Sequence, residues 1–174
     1  EGGDLDFVPD IVLRDGDVVT GRGWTFEAMH TPGHTSNHLC FGLKEEAAFF
    51  SGDHVMGWST TVIAPPDGDM SAYFASLRKL LNRAYARYYP THGAPIERPQ
   101  EFVRMLIDHR LAREAQILSA IQLGLRVIPE MVAVIYAEVD KRLHPAAGLS
   151  VKAHLNKLVQ DGAVVLADGR YTLP

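Results

Sequence analysis

The sequence contains only one cysteine, Cys40, so no disulfide bond can form within the chain. Scarcity of cysteine is typical of proteins from reducing compartments, and we expect a cytoplasmic protein. Cys40 lies in a segment of alternating polar and apolar residues, which indicates a small buried side chain in a strand rather than a nucleophile. No apolar run approaches the roughly 20 residues of a membrane-spanning helix, so we expect no membrane contact.

A surplus of basic residues is also absent. The chain has 17 Lys and Arg against 21 Asp and Glu, a formal net charge of −4. Residues 125–174 carry a net charge of +1, which leaves −5 for residues 1–124. Duplex-binding domains take most of their affinity from a basic face that neutralises phosphates. We therefore do not expect DNA as a partner.

What is present is the composition of a folded globular protein. Hydrophobic residues make up 47% of the chain and charged residues 22%, both ordinary proportions. A length of 174 residues is enough for one domain or two small ones with a buried core.

Three short motifs each follow an apolar, strand-like run and carry one side chain that can bind a metal ion. They are residues 31–35 (Thr-Pro-Gly-His-Thr), 51–53 (Ser-Gly-Asp) and 90–93 (Pro-Thr-His-Gly). Imidazole nitrogen and carboxylate oxygen are ligands for zinc, manganese or iron. Taken singly, each motif is also a common turn, because Pro and Gly end strands. Together they favour a metal site at a sheet edge, with His34, Asp53 and His92 as its ligands.

In this order, the motifs resemble those of the metallo-β-lactamase fold superfamily of hydrolases. The resemblance implies that His34 binds a first metal ion, that His92 binds a second, and that Asp53 bridges them. It also implies two divalent ions as cofactors, with zinc as the expected metal. Three further stretches are similar to the β-lactamase-like subgroup that carries a C-terminal winged helix and includes endoribonucleases: residues 50–57, Thr60-Thr61-Val62, and His109-Arg110 with Arg113-Glu114 on a long helix.

The resemblance covers nearly the whole chain and implies an α/β (α+β) fold. Residues 1–108 are expected to form the C-terminal half of an αββα sandwich, and residues 109–174 a long connecting helix and a winged-helix domain. An Asp-Gly-Asp turn at residues 15–17 predicts a hairpin between residues 11–13 and 18–20. Apolar periodicity predicts helices over residues 69–85, with Asp69 as N-cap, and over 99–124, 127–136 and 149–159, followed by a hairpin over 163–173.

One motif of the superfamily is absent. Its first signature, His-x-His-x-Asp-His, supplies most of the remaining metal ligands, yet no two of the eight histidines here are separated by a single residue. The chain also begins at Glu1 rather than at a methionine. We therefore expect it to be the C-terminal portion of a longer protein, with the missing N-terminal half as its partner. Half of a metal site is expected to bind metal weakly, to be empty at times, and to support no turnover alone.

His54 directly follows Asp53 and is the candidate for a residue that supports the ligands or faces the substrate. It begins a loop of about fifteen residues, 54–68, that is rich in Pro, Gly and Thr. Loops of this length in a compact domain usually carry function. We expect this loop to line the substrate pocket, with a solvent-exposed crossover as the alternative.

His30 and His38 each lie four residues from His34. That spacing also occurs in helical zinc sites, but the Pro-Gly pair between His30 and His34 excludes a shared helical face. We interpret both as residues packed or hydrogen-bonded beside the ligand loop, with contact to the metal as the less favoured alternative.

Two functions of different classes remain open. The first is a metal-dependent hydrolase that acts on an ester, thioester, lactone or phosphodiester in a small-molecule or RNA substrate. The second is a non-catalytic binding or regulatory module that uses the winged helix for protein or nucleic-acid contact. The weak charge of residues 125–174 favours a winged helix that flanks the active site over one that binds in a groove. A homo-oligomer also stays open.

Overall fold

The computed structural model describes residue 6 and residues 8–174, in which four strands are followed by a helix, a fifth strand, three further helices and a terminal hairpin. In this part of the chain they follow in the order β1 (Val18–Gly21), β2 (Trp24–His30), β3 (Leu39–Leu43), β4 (Ala48–Gly52), α1 (Met70–Leu81), β5 (Arg87–Pro90), α2 (Pro99–Gln122), α3 (Ile128–Ile135), α4 (His144–Gln160), β6 (Val165–Ala167) and β7 (Arg170–Thr172). A short 3-10 turn (Lys141–Leu143) precedes α4.

The first five strands form one sheet in the order β1-β2-β3-β4-β5. The pairs β1–β2, β2–β3 and β3–β4 are antiparallel, whereas β4–β5 is parallel. The strands β2, β4 and β5 therefore run in the same direction. Their carboxyl ends meet at one edge of the sheet, and each of the three predicted ligands follows one of these ends.

The predicted hairpin between residues 11–13 and 18–20 is wrong. Residues 11–13 form no strand, and β1 pairs instead with β2 across Arg22 and Gly23. The short turn at Gly23, which has a φ of +84°, brings β2 back along β1. The segment before β1 is held against the end of β2, where Gly16 N donates to Ala28 O at 2.8 Å.

Helix α1 covers one face of the sheet and begins as predicted. The Asp69 carboxylate accepts a hydrogen bond from Ala72 N at 2.6 Å, which is N-capping geometry. The helix ends at Leu81, four residues before the predicted end. Its buried side chains contribute to a core that also contains Met29, Phe49 and Tyr88 from the sheet.

Helix α2 is shared by two hydrophobic cores. Val103 and Leu106, in its first half, belong to the core under the sheet, whereas Ile117 and Ile121 belong to a second core with α3, α4 and the β6–β7 hairpin. This second core has the helices and small hairpin of a winged helix, which confirms the predicted fold class. The predicted boundary between residues 108 and 109 falls inside α2 and stays a prediction.

The other face of the sheet carries a row of aromatic side chains. Trp24, Phe26, Phe50 and Tyr89 follow one another across the sheet with ring centroids 5.5 to 5.6 Å apart. Trp24 and Phe50 are each 40% exposed, so this face is apolar and open in the chain described here.

Candidate metal centre

The structure brings the three predicted ligands together at one edge of the sheet. His34 follows β2, Asp53 follows β4 and His92 follows β5. The Asp53 carboxylate lies between the two imidazoles: its Oδ2 is 3.9 Å from His34 Nε2, and its Oδ1 is 3.6 Å from His92 Nε2. One carboxylate thus has a different histidine at each oxygen.

These distances fit two ligands of one ion better than they fit a hydrogen bond. A hydrogen bond between nitrogen and oxygen spans about 2.7 to 3.2 Å. Zinc bonds of about 2.0 to 2.2 Å at near-tetrahedral angles place two donor atoms roughly 3.4 Å apart, close to both observed separations. Asp53 Oδ1 is moreover buried and has no hydrogen-bond partner within the described residues. A buried carboxylate oxygen is costly to leave unpaired, and a cation would satisfy it.

His34 is held in the orientation that a metal ligand needs. Its Nδ1 donates to the backbone carbonyl of Val62 at 2.7 Å, which leaves Nε2 on the side of Asp53 as the nitrogen that can bind an ion. The loop before it is fixed by α1, because Ser76 Oγ donates to Pro32 O at 2.8 Å. Gly33 has a φ of +137°, and a Cβ there would lie 2.4 Å from the Tyr73 backbone, so only glycine fits.

His92 is held less firmly. Its backbone carbonyl accepts a hydrogen bond from Gly57 N at 2.9 Å, which fixes the main chain. Its side chain is 58% exposed, against 29% for His34. The imidazole of His92 makes no hydrogen bond to any residue that the structure describes. The site therefore has one oriented and one more freely placed histidine.

His38 supports Asp53 from behind the sheet edge. Its Nε2 accepts a hydrogen bond from Asp53 N at 3.2 Å. Burial, together with a smaller effect of the nearby His34 imidazole, lowers the pKa of His38 to about 4. The neutral ring must then carry its proton on Nδ1, which donates to Thr31 Oγ1 at 2.9 Å. Gly52, with a φ of +55°, leaves room for this ring, since a Cβ there would lie 2.7 Å from His38 Nε2.

Neither His30 nor His54 bonds directly to the three ligands through its ring. His30 Nε2 donates to the Ser36 carbonyl at 2.9 Å. His54 is completely buried, and both of its ring nitrogens are without a hydrogen-bond partner among the described residues. Its ring packs on Tyr73 at 4.8 Å, and burial lowers the pKa of His54 to about 3, so the imidazole is neutral. This placement gives His54 no surface toward a substrate, and a role in supporting the ligands stays a prediction.

The loop that starts at His54 is partly buried and fastened to the site. Val55, Thr61 and Ile63 are almost fully buried, which is unlike a solvent-exposed crossover. Thr61 Oγ1 lies 2.8 Å from Asp53 O and 3.0 Å from His54 O, so its single hydroxyl proton is shared between the two carbonyls. Sequence analysis singled out Thr60-Thr61-Val62 only by resemblance and gave Thr61 and the Val62 carbonyl no role, because turn-rich composition does not indicate which groups of a loop point inward.

Each candidate ion receives two donors from this chain, one imidazole and one oxygen of the shared Asp53. Within residue 6 and residues 8–174, no three His, Cys, Asp or Glu side chains surround one metal position.

Across the same residues, no helix has both the length and the apolar character needed to span a membrane.

Fold and site together define an α/β protein with a candidate two-metal centre at a sheet edge, followed by a winged helix. The chain belongs to the metallo-beta-lactamase superfamily: residues 1–92 match the model of that superfamily, and residues 128–170 match the beta-lactamase associated winged helix domain. Members of this superfamily typically bind divalent metal ions. The predicted family, including its winged-helix subgroup, is thereby confirmed.

Some curated relatives are named as enzymes, and others are named only for their similarity to beta-lactamases. An atrochrysone carboxyl ACP thioesterase from Aspergillus fumigatus is 44% identical over 110 residues, which are 63% of this chain and 34% of that protein. A beta-lactamase-like protein 2 homolog from Caenorhabditis elegans is 36% identical over 153 residues, 87% of this chain and 50% of that protein. The chain thus spans between a third and a half of these relatives.

A solved structure agrees with the fold. The beta-lactamase domain protein from Burkholderia ambifaria superposes with a TM-score of 0.85 at 24% identity. The superposition covers 98% of this chain and 55% of that one.

Proposed function

We propose that this chain is the part of a metal-dependent hydrolase that supplies the carboxylate shared by two divalent ions. The observation that carries the proposal is the position of Asp53. Its two oxygens face two different imidazoles, and Oδ1 is buried with no hydrogen-bond partner in the described chain. A carboxylate that can serve two ions suits bridging, because its charge offsets part of theirs.

The roles of the chain's own side chains follow from this geometry. His34 Nε2 and Asp53 Oδ2 would hold one ion, and His92 Nε2 and Asp53 Oδ1 the other, with zinc as the expected metal. Bound divalent ions supply Lewis acidity toward a substrate oxygen and make water a nucleophile near neutral pH. His38 and Val62 keep Asp53 and His34 in place through the hydrogen bonds described above.

The remaining donors would come from residues outside this chain. Catalytic zinc sites have three protein ligands and an open position, and each ion receives only two donors here. The length of the relatives and the exposed aromatic face of the sheet both support a further segment that packs on this chain. We accordingly propose that the chain by itself binds metal weakly and does not turn over substrate.

Among ester-like substrates we propose a thioester. The relative from Aspergillus fumigatus is named as an ACP thioesterase. The net charge of −5 over residues 1–124 disfavours a polyanionic substrate such as RNA. A cleft of about 440 Å³ lies beside the loop that follows His92, and it combines an apolar wall that suits an acyl chain with a charged rim. The apolar wall includes Ile96, Phe102 and Met105, and the charged residues are Glu97, Arg98 and Glu101.

The test is hydrolysis by the complete protein with and without metal. Metal-loaded protein is offered an acyl-pantetheine thioester, a lactone and a phosphodiester, and is then treated with a chelator and reloaded with zinc. We expect thioester hydrolysis that chelation removes and zinc restores. Metal-dependent hydrolysis of the phosphodiester alone would overturn the substrate class, and no hydrolysis of any of the three would favour the non-catalytic module.

A further inference from the structure

A buried arginine on α2 reaches the loop that holds the candidate metal ligands. Arg110 is only 3% exposed, and its guanidinium Nη2 donates to the backbone carbonyl of Thr61. The two residues are 49 positions apart in the chain, so this bond ties the long helix to the loop after β4.

The residues that Arg110 holds are in direct contact with the ligands on both sides. We call the dipeptide Thr61-Val62 the strap. The Thr61 hydroxyl shares its proton between the backbone carbonyls of Asp53 and His54, and the Val62 carbonyl accepts the Nδ1 proton of His34. A shift of the strap would therefore move one ligand's main chain and the other ligand's imidazole together.

The surroundings of Arg110 suit a positioning role better than an ion pair. In the part of the chain that the structure describes, no carboxylate lies within salt-bridge distance of its guanidinium, and its Nε is buried without a hydrogen-bond partner. The guanidinium instead lies over the Tyr73 ring at 5.3 Å. The Tyr73 hydroxyl donates to the His54 carbonyl at 3.1 Å, so both groups converge on the same loop.

The winged helix fixes the turn of α2 that follows Arg110. Glu114, one turn further along, is buried and accepts from Lys157 Nζ at 3.2 Å, and its other oxygen lies 3.3 Å from His154 Nδ1. Both partners belong to α4. These contacts with α4 hold the turn of α2 that follows Arg110, while Val103 and Leu106 pack the turns before it into the core under the sheet.

We propose that Arg110 is a positioning residue that sets the geometry of the metal ligands through the strap, with α4 as its support. The inference rests on the function proposed above, because it gives the strap a metal site to position. It also gives the winged helix a role within the same molecule: its helix α4 holds α2 so that Arg110 reaches the strap beside the candidate metal ligands.

The test compares two arginines of the same helix in the complete protein. Arg110→Met removes the donor and keeps a long side chain. Arg113→Met is the matched control, because Arg113 lies over Tyr136 at 4.1 Å and donates to Gln116, away from the strap. Each variant is titrated with Co²⁺, whose visible absorption bands report the coordination geometry, and the thermal midpoint of each metal-free variant is recorded.

We expect Arg110→Met to weaken Co²⁺ binding about 10- to 100-fold, the usual effect of losing an outer hydrogen-bond partner, and to change the band positions. Arg113→Met should leave both unchanged even if its thermal midpoint falls. Equal affinities and spectra for the two variants would overturn the inference. Asp53→Asn in the same titration separates the two proposals: if it retains the wild-type Co²⁺ spectrum, the proposed metal site itself is wrong.

If Arg110→Met does not fold, a second pair of variants at Thr61 tests whether the strap positions the ligands. Thr61→Ser keeps the hydroxyl that bonds to Asp53, whereas Thr61→Val removes it at almost the same volume. We expect wild-type Co²⁺ spectra for Thr61→Ser and altered spectra with weaker binding for Thr61→Val. Indistinguishable spectra for this pair would show that the strap does not position the ligands.

Discussion

His34 and His92 flank the same carboxylate, but the protein holds them differently. His34 is 29% exposed and donates to the Val62 carbonyl, whereas His92 is 58% exposed and only its main chain is fixed, by Gly57. On the His34 side the ligand is oriented before any ion arrives. On the His92 side no hydrogen bond within the described residues orients the imidazole, so an ion that binds there would have to fix its rotamer, which costs free energy.

This difference suggests that the two ions bind with unequal affinity. Preorganised donors bind more tightly, because no conformational entropy is lost when the ion enters. The ion between His34 and Asp53 should therefore be the tighter one. The ion between Asp53 and His92 should depend more on groups supplied by the rest of the protein.

The strongest test of this inequality replaces each histidine in turn. In the complete protein, His34→Ala should weaken the tighter zinc ion by more than about 100-fold, since losing a ligand exceeds the 10- to 100-fold effect of losing an outer partner. His92→Ala should leave that ion bound and weaken only the second. Zinc titration by calorimetry resolves the two steps, and equal loss of the tighter ion in both variants would refute the comparison.

A smaller effect is expected from the residue behind the shared carboxylate. His38→Leu removes the acceptor of the Asp53 amide hydrogen bond, so both ions should weaken to a similar extent, about 10-fold. His30→Leu is the control, because the His30 ring bonds to Ser36 rather than to Asp53. Zinc affinities of His30→Leu should match the wild type. A His38→Leu effect confined to one ion would show that Asp53 is not shared.

The smallest expected effect is on the free energy of unfolding and comes from His154 in α4, away from the candidate metal ligands. Burial lowers the pKa of His154 below its ordinary 6.5, against an opposing effect from Glu114, while Arg110 and Arg113 lower it further. Below pH 6.5 the unfolded chain therefore binds a proton that the folded chain does not, and the free energy of unfolding decreases as the pH falls. Urea midpoints between pH 7.5 and 5.5 should decrease more in the wild type than in His154→Gln; parallel decreases would contradict this assignment.

The convergence of the three candidate ligands could be predicted from the sequence because their positions follow from strand ends. Pro and Gly stop β2, β4 and β5 immediately before or beside His34, Asp53 and His92, and strands of the same direction end at the same edge. The capping of α1 by Asp69 was predictable for a similar reason, since capping is local in sequence.

The contacts of the supporting residues could not be predicted in this way, although the sequence placed His38 beside the ligand loop and the resemblance singled out Arg110. His38 acts through a backbone amide fifteen residues away, and Arg110 acts through a carbonyl 49 residues away. Contacts between a side chain and a distant backbone group leave no periodicity or composition signal. The early hairpin failed because two turn signals compete there, and the tight turn at Gly23 determines the pairing of β1.

The sharing of Asp53 is tested most directly by metal content. Wild-type protein and Asp53→Asn, both as complete proteins with folding verified by circular dichroism, are loaded with zinc, passed through a desalting column and analysed for metal per chain. Asparagine has one oxygen and no charge, so it cannot bridge two cations. We predict two zinc ions per wild-type chain and at most one in Asp53→Asn. An Asp53→Asn protein that retains both ions would contradict a shared carboxylate between His34 and His92.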